Sequence, residues 1–188
     1  MPERTDIEII QDYLDGDTEA FDVIVHRYLT IVYNFVWRLS GGSSDTSDIT
    51  QEVFIKVWRK IEQFDRKQNF KTWLFTIARH TAIDWFRKRH DKTFSSLAGP
   101  EDLAFEETIA DREPLADEIF ARAELKENLQ TLIARLPEKY QTVVFLKHDE
   151  ELTFEEMSKV LEAPLNTLKS RYWRALLLLR EYLGNAPK

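Results

Sequence analysis

The sequence predicts an all-α protein built as two small helical domains, an N-terminal helical bundle and a C-terminal helix-turn-helix domain, joined by an acidic linker. Three observations carry this. Apolar residues recur at spacings of three and four along most of the chain, the period of a helix with one buried stripe. Five glycines and six prolines among 188 residues leave few of the turns a many-stranded sheet requires. Charge is also segregated. Arg79, Arg87, Lys88, Arg89 and Lys92 crowd one segment, and Lys169, Arg171, Arg174 and Arg180 another. Between them Glu101, Asp102, Glu106, Glu107, Asp111, Glu113, Asp117 and Glu118 face only Arg112.

The elements follow in order. An opening helix spans about Ile7–Leu14, and Asp15-Gly16-Asp17 turns the chain. Thr18–Leu39 carries Phe21, Ile24, Val25, Tyr28, Val32, Phe35 and Val36 at helical spacing. Gly41-Gly42-Ser43-Ser44 ends that helix, and the serine and aspartate cluster offers N-caps for the next, about Thr46–Gln63. A fourth helix, Phe70–Arg89, follows the polar break at residues 65–69. Residues 93–114 have linker composition. Helical period resumes from Leu115 through Leu136, Pro137 opens a further helix, and a helix-turn-helix closes the chain. The predicted domains are therefore 1–92 and 115–188, with 93–114 as connector.

Composition excludes several function classes. A hydrophobic content of 43%, with five tryptophans and twelve phenylalanines, is ample for packed cores. No apolar run approaches the roughly 20 residues that span a bilayer, and no secretory signal is visible, so a cytoplasmic protein without membrane insertion is expected. Zero cysteines exclude disulfides, thiol catalysis and thiolate metal sites. His26, His80, His90 and His148 are scattered, with no triad order, metal spacing or glycine-rich phosphate loop. No enzyme, cofactor or metal is expected. The net charge of −7 does not exclude nucleic acid, because charges act within a Debye length of roughly 8–10 Å.

The segment Thr153–Arg180 is the most informative. Thr153 and Glu156 form a capping-box pattern, and Met157, Val160 and Leu161 recur on one side. Glu162-Ala163-Pro164 breaks the pattern and opens a second helix. Leu168, Tyr172, Ala175 and Leu179 line one face of it, leaving Asn166, Lys169, Ser170, Trp173 and Arg174 around the other side. Polar groups that read base edges, cations for phosphates and an aromatic suit a helix entering the major groove. The alternative is an ordinary amphipathic helix.

Two more surfaces stand out. On the third helix Ile49, Val53, Val57, Ile61 and Phe64 form the inward stripe, while Asp48, Gln51, Ile55, Trp58, Arg59 and Glu62 lie opposite. An aliphatic and an indole ringed by polar groups have the composition of an interface hot spot, unless another helix of the same domain covers them. The loop from Phe64 to Asn69 and the fourth helix combine aromatic, amide and basic side chains. That mixture suits single-stranded DNA, whose unstacked bases seek aromatic platforms and amide hydrogen bonds. Leu74, Ile77 and Trp85 are expected in the core; Asn69, Lys71 and His80 are not.

The segment Asp48–Phe64 (DITQEVFIKVWRKIEQF), the run Phe70–Trp85 (FKTWLFTIARHTAIDW) and the late LPEKY and TLKSR together resemble bacterial RNA polymerase sigma factors. With only the two end domains, the pattern is that of the extracytoplasmic-function (ECF) class. The resemblance implies an alternative sigma factor that binds core RNA polymerase, recognises −10 and −35 promoter elements and initiates transcription. It implies core-polymerase contacts at Asp48, Gln51, Glu52, Ile55 and Trp58. It implies −10 contacts at Phe64, Asn69, Phe70, Lys71, Trp73 and His80, with Arg79, Arg87 and Lys88 on phosphates and a base flipped from the non-template strand. It implies −35 contacts at Asn166, Lys169, Ser170, Arg171, Trp173 and Arg174, supported by Lys147 and Phe154. Promoter DNA would be double-stranded upstream and melted downstream. An anti-sigma factor is an expected further partner, and Glu101–Glu118 would mimic nucleic acid.

The chain departs from the family pattern at Glu162 and Asn166, where glycine is common, and at Thr76 and Ile77, where housekeeping sigmas carry paired aromatics that prop the duplex open. Their absence implies weaker melting and stricter promoter choice. Two other readings of the chain are a helix-turn-helix regulator acting without core polymerase and a polymerase-binding adaptor that no longer contacts DNA.

Overall fold

The computed structural model describes residues 4–89 and 129–184. They fall into two compact units, one within Met1–Phe94 together with Lys159–Leu161, the other within Ser95–Ser158 and Glu162–Lys188. The described residues are helical apart from turns and short connections. The expected connector at 93–114 and the helical start at Leu115 lie outside the described residues.

The first unit begins with α1, Asp6–Leu14. Thr5 Oγ1 accepts from the backbone N–H of Glu8 at 3.3 Å, and Glu8 Oε2 accepts from Thr5 N at 2.7 Å. That reciprocal pair satisfies two donors that would otherwise face water. Asp6 ties α1 to α2 (Glu19–Leu39): Arg27 Nη1 donates to Asp6 Oδ1 at 2.6 Å and Tyr28 Oη to Oδ2 at 2.5 Å. Ile9 and Ile10 are fully buried behind this link. Gly16 takes a φ of 110° in the connecting turn, a value that side chains with a Cβ rarely adopt.

In α2, Ile24, Tyr28, Val32, Phe35, Val36 and Leu39 supply the buried stripe. α3 is Thr46–Lys60, continued by a 3-10 turn at Ile61–Gln63. The residue preceding it, Asp45, makes no side-chain cap, because its carboxylate instead accepts from Trp85 Nε1 at 3.2 Å. α4, Phe70–Arg89, packs against both α2 and α3. Phe75 meets Phe35 edge-on at 4.9 Å, and Phe70 meets Tyr28 at 5.5 Å. Such pairs contribute about 0.5–1.5 kcal/mol each beyond the area they bury.

In the second unit α5 is Leu129–Ala134 and α6 is Glu138–Val144, extended by a π-helical turn at Phe145–Asp149. Gln141 Nε2 donates to Leu136 O at 2.7 Å and Ala134 O at 3.3 Å, satisfying carbonyls at and just beyond the end of α5. α7, Phe154–Leu161, whose first five residues belong to this unit, starts with the expected capping box. Thr153 Oγ1 accepts from Glu156 N at 3.2 Å, and Glu156 Oε2 accepts from Thr153 N at 2.8 Å. α8, Leu165–Gly184, buries Leu168, Tyr172, Ala175 and Leu179, the stripe its periodicity predicts, and packs against α6.

Candidate nucleic-acid interfaces

The turn between α7 and α8 is shaped by two local devices. Glu162 adopts φ 49° and ψ 44°, the left-handed conformation in which glycine is usual. Ser158 Oγ donates to the carbonyl of Ala163 at 2.7 Å, closing the corner. This turn sends α8 away from α7 with Asn166 exposed and Lys169 and Arg174 half-exposed near its start. Lys147, from the π-helical turn, and Lys169, from α8, both bring their ammonium groups to the ring of Phe154, at 5.4 and 5.9 Å from its centroid. Cations from two elements thus gather at one corner of the helix-turn-helix.

Three expected −35 residues sit otherwise than the outward projection of α8 requires. Trp173 retains only 6% of its surface, and its indole packs edge-on against Tyr172 at 5.4 Å. A large ring gains more by burying its area than a helical-wheel angle suggests. Arg171 is 3% exposed because its position borders the Leu168–Tyr172–Ala175 stripe, so its stem runs along the core. Ser170 is buried as well; being small, it is enclosed once its larger neighbours pack. In this conformation Asn166, Lys169, Arg174, Lys147 and Phe154 form the accessible set.

The loop before α4 is ordered by its own side chains. Asp65 Oδ1 accepts from Lys67 N at 3.0 Å, and Gln68 N donates to Asp65 O at 2.9 Å. Asn69 Oδ1 accepts from Thr72 N at 3.3 Å, capping α4 and directing the other end of its carboxamide outward. Arg66 Nη1 donates to Gln11 Oε1, fastening the loop to α1. Phe64, Phe70 and Trp73 form a three-ring cluster with centroids 5.1–5.8 Å apart. Phe64 and Phe70 are buried, so the expectation that they present stacking faces to a base is corrected. Their apolar faces are taken up by each other, by Trp73 and by Tyr28, and they form the floor of the loop. Asn69, His80, Arg87 and Lys88 are exposed, and Lys71, Trp73 and Arg79 half-exposed. Leu74 and Ile77 lie in the core as expected; Trp85 is half-exposed.

On α3, Ile55 is 42% and Trp58 54% exposed, while Ile49, Val53 and Val57 are sealed. Among the described residues no helix of the first unit covers the pair. Asp48 and Gln51 are exposed beside them, and Glu52 is half-buried. Sequence reasoning missed a second exposed apolar row on α2, formed by Leu29, Tyr33 and Trp37. Their spacing of four was legible, but the same helix also carries a continuous core stripe that drew the assignment.

An all-helical chain whose last two helices form a helix-turn-helix, preceded by a unit with a polar-aromatic loop and an exposed indole, defines a DNA-binding transcription protein. Comparison with known proteins makes this particular. Residues 24–92 match the model of Sigma-70 region 2, and residues 126–179 that of Sigma-70 region 4. The chain is 34% identical to the ECF RNA polymerase sigma factor SigW of Bacillus subtilis over 176 residues, 93% of this chain and 94% of that protein. It is 31% identical to the ECF RNA polymerase sigma-E factor of Escherichia coli K12 over 183 residues, 96% and 93% of the two chains. The fold matches that of the sigma factor RpoE of Bartonella quintana, solved with the anti-sigma factor NepR, at a TM-score of 0.60 and 22% identity over 90% of this chain and 99% of that one. It also matches CnrH, solved with the cytosolic domain of CnrY, at a TM-score of 0.59 and 19% identity over 97% and 99%. The chain belongs to the ECF RNA polymerase sigma factors. It is a transcription initiation factor that works with core RNA polymerase on promoter DNA.

Proposed function

We propose that this sigma factor divides its work among three surfaces: α3 on core polymerase, the loop and α4 on the −10 element, and α8 on the −35 element. The observation that carries this reading is that one chain holds both DNA-reading regions in family order, covering most of its length. Ile55 and Trp58, with Asp48, Gln51 and Glu52 around them, supply an apolar centre with a polar rim for the polymerase. Asn69, with Lys71 and Trp73 in the first turn of α4, offers an amide and an indole edge to an unstacked base, while His80, about three turns further along the helix, faces a different nucleotide. Arg79, Arg87 and Lys88 meet the neighbouring phosphates. Asn166 reads base edges while Lys169, Arg174 and Lys147 hold the backbone.

The domain division at 1–92, 93–114 and 115–188 belongs to this proposal. So do a cytoplasmic site of action, the lack of any covalent chemistry of its own, and occlusion by an anti-sigma factor. One fold neighbour, RpoE of Bartonella quintana, was solved with an anti-sigma factor. Among the described residues no helix is long and apolar enough to cross a membrane. Run-off transcription with purified core polymerase tests the reading. Adding the protein is expected to make transcription dependent on the promoter mapped by transcript sequencing after overexpression. Unchanged transcription, with tight binding of the same DNA by the protein alone, returns the chain to the polymerase-independent regulator.

A further inference from the structure

The corner where Phe154, Lys147 and Lys169 meet joins three elements of the second unit. Phe154 opens α7, Lys147 comes from the π-helical turn after α6, and Lys169 from α8. Both ammonium groups lie within 6 Å of one ring centroid, the range in which a cation is attracted by the negative face of an aromatic ring. The ring itself is fixed, since it packs edge-on against Tyr172 at 5.7 Å and Tyr172 belongs to the buried stripe of α8. Two like charges brought this close repel, and each long side chain gives up rotamer freedom on meeting DNA. The attraction of one ring for both ammonium groups counters both effects.

We propose that Phe154 is a positioning residue: its ring holds Lys147 and Lys169 as a preformed pair of phosphate-binding cations and does not itself touch DNA. This rests on reading α8 as the upstream-element helix, and it differs from a direct contact of Phe154 with the duplex. The π-helical turn acquires a role as well. By widening the helix after α6 it brings Lys147 to α7.

The test uses the full chain assembled with core polymerase and a fluorescent duplex of the promoter mapped by transcript sequencing. Affinity is measured by anisotropy across a potassium chloride series. Phe154→Leu keeps an apolar side chain and removes the π face, so affinity is expected to fall roughly five- to twentyfold. The slope of log affinity against log salt is expected to shrink toward that of the Lys147→Ala/Lys169→Ala double variant, which loses up to about 2 from its magnitude. In that double-variant background Phe154→Leu is expected to have no further effect. Phe154→Trp, which presents a stronger face, retains wild-type affinity and slope, and this arm stands even if the leucine variant folds poorly.

A leucine loss that leaves the salt slope unchanged, or that adds in full to the lysine losses, overturns the proposal in favour of direct contact. Loss of binding in Phe154→Trp with an unchanged melting temperature overturns it too. If the double lysine variant binds the promoter as wild type does, the upstream-element reading itself fails, whatever Phe154 does.

Discussion

Glu162 occupies φ 49° and ψ 44°, and a non-glycine residue there crowds its Cβ against the neighbouring carbonyl at a cost of about 1–2 kcal/mol. Glycine escapes the clash but loses more freedom on folding, which removes part of the gain. Glu162→Gly is therefore expected to stabilise the second unit by about 0.5–1 kcal/mol, read as a higher urea midpoint at unchanged slope. A lower midpoint would mean that the interactions of the glutamate side chain outweigh the backbone strain. Trp173 gives the complementary lesson. Its angle on α8 was legible, but periodicity ranks positions by direction and says nothing of how far a large ring turns back onto its neighbour Tyr172. Ile55 and Trp58 were placed correctly because α3 carries one clean apolar stripe, so everything opposite it has to face out.

Among the described residues the helices were largely readable from spacing and caps, and the ends of α1 to α4 agree with expectation within a few residues. The faces of α4 were harder. It carries apolar side chains around most of its circumference, so sequence did not separate the buried Phe70 from the half-exposed Trp73. α1 shows a signal that was present and unused, since Thr5 and Glu8 repeat the pattern of Thr153 and Glu156. That cap makes α1 sensitive to acid. The Glu8 carboxylate lies below the ordinary glutamate range, first because Thr5 N–H donates to it, then because the Thr5 hydroxyl does, with the Arg4 charge adding and desolvation opposing. A lowered carboxylate stabilises the folded form above the ordinary glutamate value and loses that contribution as pH falls through the lowered one. Amide protection in α1, corrected for intrinsic exchange, is expected to decline across that acidic window in wild type. In Glu8→Gln it is expected to be lower at neutral pH and flat across the window. Identical profiles in the two proteins would show that the cap does not hold α1.

Across the whole molecule, a chain of net charge −7 carries exposed or half-exposed cations on α4 and α8, the helices proposed to meet DNA, and on that proposal promoter engagement is a local electrostatic event on a repelling body. The isolated protein is therefore expected to gain little from non-specific attraction to DNA, with productive binding depending on contacts that polymerase supplies. Three variants separate the steps. Trp58→Ala removes the centre of an apolar patch, and loss of such an anchor costs about 2 kcal/mol or more, roughly thirtyfold in affinity for core polymerase. Because both DNA surfaces act within the assembled complex, this variant is expected to lose closed and open complexes together. Lys169→Ala with Arg174→Ala is expected to bind core normally while its promoter affinity falls, and its salt slope shrinks by about 2 as two phosphate contacts disappear. Asn69→Ala leaves core binding and closed-complex affinity near wild type. It is expected to reduce permanganate reactivity of downstream thymines, since a flipped base then loses the amide that offsets its unstacking. Pull-down, anisotropy and permanganate footprinting on one promoter read the three steps separately. If all three variants fell equally in every assay, the surfaces would form one coupled interface and the division of labour would be wrong.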